Sequence, residues 1–139
     1  MRHRKLHLPV SLALLVALAT LAGCGTRVPA TVTLHPKVFL DPGRPIYVTA
    51  NREFARVVLA VRNAGLNVAT DLSEDHYRLQ VKIGRSRGGG SCGANANVAF
   101  TLDAAGRPAM MIKGRGRTGH CEPNILNEMS AKLAMGFGL

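Results

Sequence analysis

The 139-residue chain has no tryptophan, two tyrosines and four phenylalanines. Flat aromatic faces on which sugars or unpaired bases stack are scarce, which argues against a carbohydrate lectin or a single-strand nucleic-acid binder. Carboxylates are few as well: eight Asp and Glu against 18 Lys and Arg give a formal charge of +10. Cysteine is limited to Cys24, Cys92 and Cys121, with no Cys-x-x-Cys and no His-x-x-x-His unit. A zinc site built from Cys92, His120, Cys121 and His76 would have only two thiolates and none of the paired spacing that structural zinc uses, so no metal is expected. His35, His76 and His120 are not paired with a nucleophile at any readable spacing, and the Gly88 to Gly93 stretch is not followed by Gly-Lys-Ser/Thr. No catalytic residue and no cofactor are therefore expected, and the chain reads as a non-enzyme. No internal repeat is visible.

The N-terminus is organised differently from the rest. Met1-Arg2-His3-Arg4-Lys5 is basic, and Leu8 to Ala22 is an uncharged apolar run of 15 residues, too short for a comfortable membrane span. It ends in Leu21-Ala22-Gly23-Cys24, which resembles the lipobox of bacterial lipoproteins. The resemblance implies that residues 1–23 are a signal peptide, that the Cys24 thiol carries fatty acyl chains such as palmitate, and that the mature protein is tethered to a membrane. Two or three acyl chains, at about 0.8 kcal/mol per buried methylene, make such anchoring effectively permanent. Gly25 follows the cysteine where many Gram-negative families carry an Asp that retains them in the inner membrane. The resemblance thus implies the outer membrane, facing the periplasm, over the inner membrane.

From Cys24 onward, 116 residues remain, enough for one compact domain. Three of the basic residues and none of the acidic ones precede Cys24, so this part carries +7. An exported chain of that charge meets lipopolysaccharide, anionic headgroups and acidic polymers rather than nucleic acid. Cys92 and Cys121 are an even remainder in an oxidising compartment, which favours a disulfide between them.

Residues 24–44 contain Pro29, Pro36, Pro42 and Pro45 just beyond, a spacing that excludes a helix and predicts a tether, with Val38-Phe39-Leu40 as the segment to pair at a sheet edge. Residues 45–139 are expected to form a single domain. Ile46 to Thr49 reads as a strand. Phe54, Val57, Val58, Val61 and Ala64 then repeat with a helical period, predicting a helix over 51–64 capped by Asn51 and closed by Gly65. Leu66 to Thr70 is a short strand, and Tyr77, Leu79, Val81 and Ile83 alternate with Arg78, Gln80 and Lys82 as in a half-buried strand. Val98, Phe100 and Leu102 pair with Met110 and Ile112 across a three-residue loop, Ala104-Ala105-Gly106, with Phe100 opposite Met110 and Val98 opposite Ile112. Pro123 opens a last helix with a stripe of Ile125, Leu126, Met129, Leu133 and Phe137. The fold expected is an α+β two-layer sandwich, a mostly antiparallel sheet with two helices on one face, in the order β-α-β-β-β-α.

This register turns Lys113, Arg115 and Arg117 to the face opposite the core, where alternation also puts Arg78 and Lys82; Arg85 and Arg87 extend the charge into the following loop. These seven residues are the candidate surface for an anionic partner. The same register carries Cys92 to the open end of the hairpin, near Cys121. In order and size, residues 45 to 138 resemble several small outer-membrane lipoproteins: the lipopolysaccharide-assembly accessory lipoprotein, the curli-secretion lipoprotein and the activators of penicillin-binding proteins. That resemblance implies an accessory or binding subunit of an envelope assembly or export system, meeting an envelope protein or an anionic envelope polymer. The alternative is a structural lipoprotein that forms homo-oligomers through sheet-edge pairing.

Overall fold

A computed structural model describes residues 30–35, 38–85, 92–93 and 95–139. Cys24, the signal segment, Arg87 and most of the glycine-rich stretch lie outside the described residues. The strands are β1 (Thr31–Leu34), β2 (Ile46–Ala50), β3 (Val68–Ala69), β4 (Tyr77–Ile83), β5 (Asn95–Ala104) and β6 (Arg107–Arg117); the helices are α1 (Phe54–Asn63) and α2 (Ile125–Gly136). They form one sheet in the order β1-β6-β5-β4-β2-β3. The β1–β6, β6–β5 and β5–β4 pairs are antiparallel, and β2 runs parallel to both β4 and β3. Both helices contribute to one core on one face of the sheet, Val57 and Val61 from α1 and Met129 and Leu133 from α2 packing over Leu79, Phe100 and Ile112.

The α+β sandwich is as expected, but the order is β-β-α-β-β-β-β-α. Four strands run between the helices, the Leu66 to Thr70 segment supplying one that the expected order left uncounted and that is only two residues long, Val68–Ala69. The other addition is β1. The edge strand comes from Thr31–Leu34, not Val38–Leu40, because Val32 aligns with Ile112 and Leu34 with Met110 while Leu40 turns inward and is buried. The sheet thus takes residues from the segment expected to be a tether.

The hairpin register is shifted by two residues from the expected one: Phe100 faces Ile112, Leu102 faces Met110 and Val98 faces Gly114. The loop has two residues, not three. Ala105 and Gly106 both take positive φ (50° and 75°), the backbone of a type I′ turn that suits the strand twist. A bulge between Leu102 and Asp103 then restores the alternation, leaving Ala109 and Met110 both buried.

Asn51 does not cap α1, which begins at Phe54. Its carboxamide accepts from Ile83 N (2.8 Å) and donates to Ile83 O (3.0 Å), continuing the β2–β4 ladder past Ala50. Glu53, in the left-handed region at φ 52°, starts the helix without a side-chain cap. Gly65 at φ 87° closes it as expected. Pro123 precedes α2, whose cap is Asn124, the side chain accepting from Leu126 N at 2.8 Å. All five residues of the predicted apolar stripe are buried.

Candidate functional site

Because both helices cover one face, the other face of the sheet carries most of the polar residues of β2, β4, β5 and β6. Register places its residues in rows. Lys82 faces Ala99, which faces Lys113, which faces Thr31. The next rows toward the open end of the hairpin hold Asn97 with Arg115 and Asn95 with Arg117. Toward the turn, Gln80 faces Thr101 and Thr101 faces Met111; beyond them Arg78 faces Asp103 and lies beside Tyr47. Lys82, Lys113, Arg115 and Arg117 are all exposed.

The rows divide the seven candidate cations. Lys113, Arg115 and Arg117 stand about 7 Å apart along β6, and Lys82 lies two strands, about 10 Å, from Lys113. At such spacing, repulsion between solvated charges is about 0.4–0.6 kcal/mol per pair, small enough for the fold to tolerate. Arg78 belongs elsewhere: its cross-strand neighbour Asp103 is the acidic residue of this face among the described residues. Arg85 is exposed just past β4 and shares the parity of Ile83 rather than of Lys82, so it joins the rim and not the rows.

Alternation on β6 has a second consequence. The core-side positions between the cations are Gly114 and Gly116, and a Cβ on them would come within 2.9 Å of Ile125. The α2 start therefore lies directly on the strand, and the two glycines allow it. At the end of the hairpin, Cys92 and Cys121 form a disulfide with Cα atoms 4.7 Å apart. Gly119 N donates to Cys92 O beside it.

Next to the disulfide is a cluster that the sequence did not suggest. Arg56 of α1 donates to Thr118 O (3.2 Å) and Glu53 Oε2 (3.4 Å), and its Nη2 is 2.8 Å from His120 Nε2. A guanidinium only donates, so His120 Nε2 accepts. Thr118 Oγ1 donates to Glu53 Oε1 at 3.2 Å. This network ties α1 to the end of β6, a bracing role. His76 Nδ1 sits 2.9 Å from the Asp71 carbonyl oxygen, and His35 is exposed in the segment after β1. Among the described residues no three His, Cys, Asp or Glu side chains converge as a metal site.

A shallow cavity of about 440 Å³ lies where β3 stops, lined by Val48, Thr49 and Ala50 of β2, Phe54 and Val58 of α1 and Val68 of β3. β3 pairs only with Ile46 and Tyr47, so among the described residues Val48–Ala50 has no strand on that side. Only the short length of the 66–70 apolar segment hinted at this.

No family model matches the chain, and no curated protein matches it in sequence. Among solved structures it is similar to a point variant of the PelC dodecamer from Paraburkholderia phytofirmans, at 15% identity over 78% of this chain and 97% of that one, TM-score 0.49. A second crystal form of the PelC dodecamer from that organism gives 16% identity over 76% and 97%, TM-score 0.47. A minor lipoprotein from Acinetobacter baumannii gives 11% over 73% and 92%, TM-score 0.38. These likenesses are loose and fix neither an activity nor an assembly for this chain. Among the described residues no helix is long and apolar enough to cross a membrane.

Proposed function

We propose that this chain is a lipid-anchored protein of the bacterial envelope that binds an anionic envelope polymer, or an acidic surface of an envelope protein, through its uncovered sheet face. In this reading it is a non-catalytic accessory subunit of an assembly or export system. The observation that carries the binding role is the grouping of Lys82, Lys113, Arg115 and Arg117 on adjacent rows of a face that no helix covers among the described residues. Solvated cations so placed sum into a field that attracts a polyanion and speeds its encounter. Attachment through Cys24, removal of residues 1–23 and an outer-membrane, periplasm-facing location are supported by Leu21-Ala22-Gly23-Cys24 and Gly25.

The test has two parts. Metabolic labelling should place fatty acid on the wild-type chain and none on Cys24→Ala, which should leave the membrane fraction; unlabelled wild type contradicts the anchor. Lipopolysaccharide should bind the chain at low salt and be released as salt rises, since exposed charges are screened over about 10 Å at 0.1 M. Binding indifferent to salt contradicts the basic-face role.

The Val48–Ala50 edge, unpaired on its β3 side among the described residues, favours a second reading, a homo-oligomer formed by sheet-edge pairing there. A high-mass species on size exclusion that persists at all salt concentrations supports it, and a monomer at all concentrations excludes it.

A further inference from the structure

Among the described residues, four of the nine exposed large apolar side chains fall within eight positions of sequence: Val32, Leu34, Val38 and Phe39. Phe39 is 87% exposed, and its neighbours hold it out. Leu40 is buried, at 6% exposure, within reach of the α2 end near Gly136. Asp41 N donates to the Tyr77 hydroxyl at 2.8 Å, and the Tyr77 ring packs edge-on against Phe137. On the other side, Val38 N bonds to His35 O, and His35 N to Ala109 O, continuing β1. A phenylalanine fixed between two tethered residues and left in water is an unsatisfied surface.

We propose that this edge, β1 with the Phe39 turn, lies against the lipid bilayer, with Phe39 inserted among the acyl chains at the interface. The inference rests on the Cys24 anchor of the preceding reading. Six residue steps separate Cys24 from Ala30, a reach of at most about 20 Å. The anchor therefore holds β1 at the membrane, while the β3 edge lies five strand spacings, about 24 Å, farther across the sheet. Charge agrees with the placement. Lys113 stands beside Thr31 in the strand next to β1, with Arg115 and Arg117 following, where anionic headgroups would meet them. The combination of apolar side chains at an edge with cations behind them is what an interfacial surface requires.

The absence of tryptophan makes the test direct. The full lipidated chain carrying Phe39→Trp is reconstituted into phosphatidylethanolamine and phosphatidylglycerol vesicles, and indole emission is read with and without brominated lipid. Leu59→Trp on α1 and Leu72→Trp in the turn after β3 serve as controls. Emission from position 39 should shift to the blue and be quenched several-fold more than from positions 59 and 72. If the chain sediments with vesicles but position 39 emits as in water, the membrane edge is wrong and the anchor stands. If the chain does not sediment, the anchor fails and the inference falls with it. A blue shift that brominated lipid does not quench, and that grows with protein concentration, assigns the edge to a second copy and overturns the proposal.

Discussion

Asp103 stands directly opposite Arg78 across the β4–β5 ladder, whereas Lys82, two residues on from Gln80, faces Ala99. The carboxylate neutralises one end of the sheet face and leaves the other end to cations. Cross-strand opposite charges interact by a few tenths of a kcal/mol to about 1 kcal/mol, enough to bias where a polyanion settles.

Arg78→Gln should therefore weaken lipopolysaccharide binding less than Lys113→Gln, and Asp103→Asn should strengthen it. Titrations of the three single variants at one salt concentration check the order. Equal losses for Arg78→Gln and Lys113→Gln would show that position on the face is irrelevant.

Removing the disulfide by Cys92→Ser with Cys121→Ser should cost about 3.5 kcal/mol, because a link across 29 residues restricts the unfolded chain by roughly that amount. Urea unfolding reads the difference. The double variant should fold to the same sheet, since Gly119 N to Cys92 O and the Arg56 network hold the same end.

The glycines on β6 give a paired test. Gly114→Ala sets a methyl 2.9 Å from Ile125 Cδ1, and Gly116→Ala sets one 2.9 Å from Ile125 Cβ. Each should destabilise by about 1–3 kcal/mol. Adding Ile125→Val removes Cδ1 and should relieve Gly114→Ala in part, with no relief for Gly116→Ala. Thermal unfolding of the two pairs distinguishes them.

Ser130 is fully buried on the core side of α2, and its hydroxyl has no hydrogen-bond partner among the described residues. Ser130→Ala keeps the shape, removes the unpaired group and improves helix propensity, so it should stabilise the protein by about 1 kcal/mol. A loss of stability would mean that the hydroxyl is satisfied.

What the sequence disclosed follows from period. The strict alternation of 77–83 and of 98–102 sorts residues between two faces, and an error of two residues in pairing leaves the sorting intact. That is why Lys113, Arg115 and Arg117 face outward in the actual register although Phe100 meets Ile112 and not Met110. The two-residue difference in register arises at the turn, where Ala105 in the left-handed region gives no composition signal and the bulge at Ala109 none either. Asn51 is ambiguous in sequence because a carboxamide serves a strand end as well as a helix start. β1 was hidden by the prolines on both sides of it, whose effect on helices says nothing against an edge strand. The Arg56–His120 contact spans 64 positions and has no local pattern at all.

The most direct measurement compares two triple variants of equal charge in lipopolysaccharide binding at low salt. Lys113→Gln/Arg115→Gln/Arg117→Gln removes three cations from the sheet face; Arg52→Gln/Arg62→Gln/Lys132→Gln removes three from the helices and the segment before them. At roughly 0.5 kcal/mol for each exposed charge, the first should bind about tenfold more weakly than wild type, with stability little changed, and the second should bind nearly as well as wild type. Equal weakening of both, or of neither, would contradict the claim that the sheet face is the binding surface.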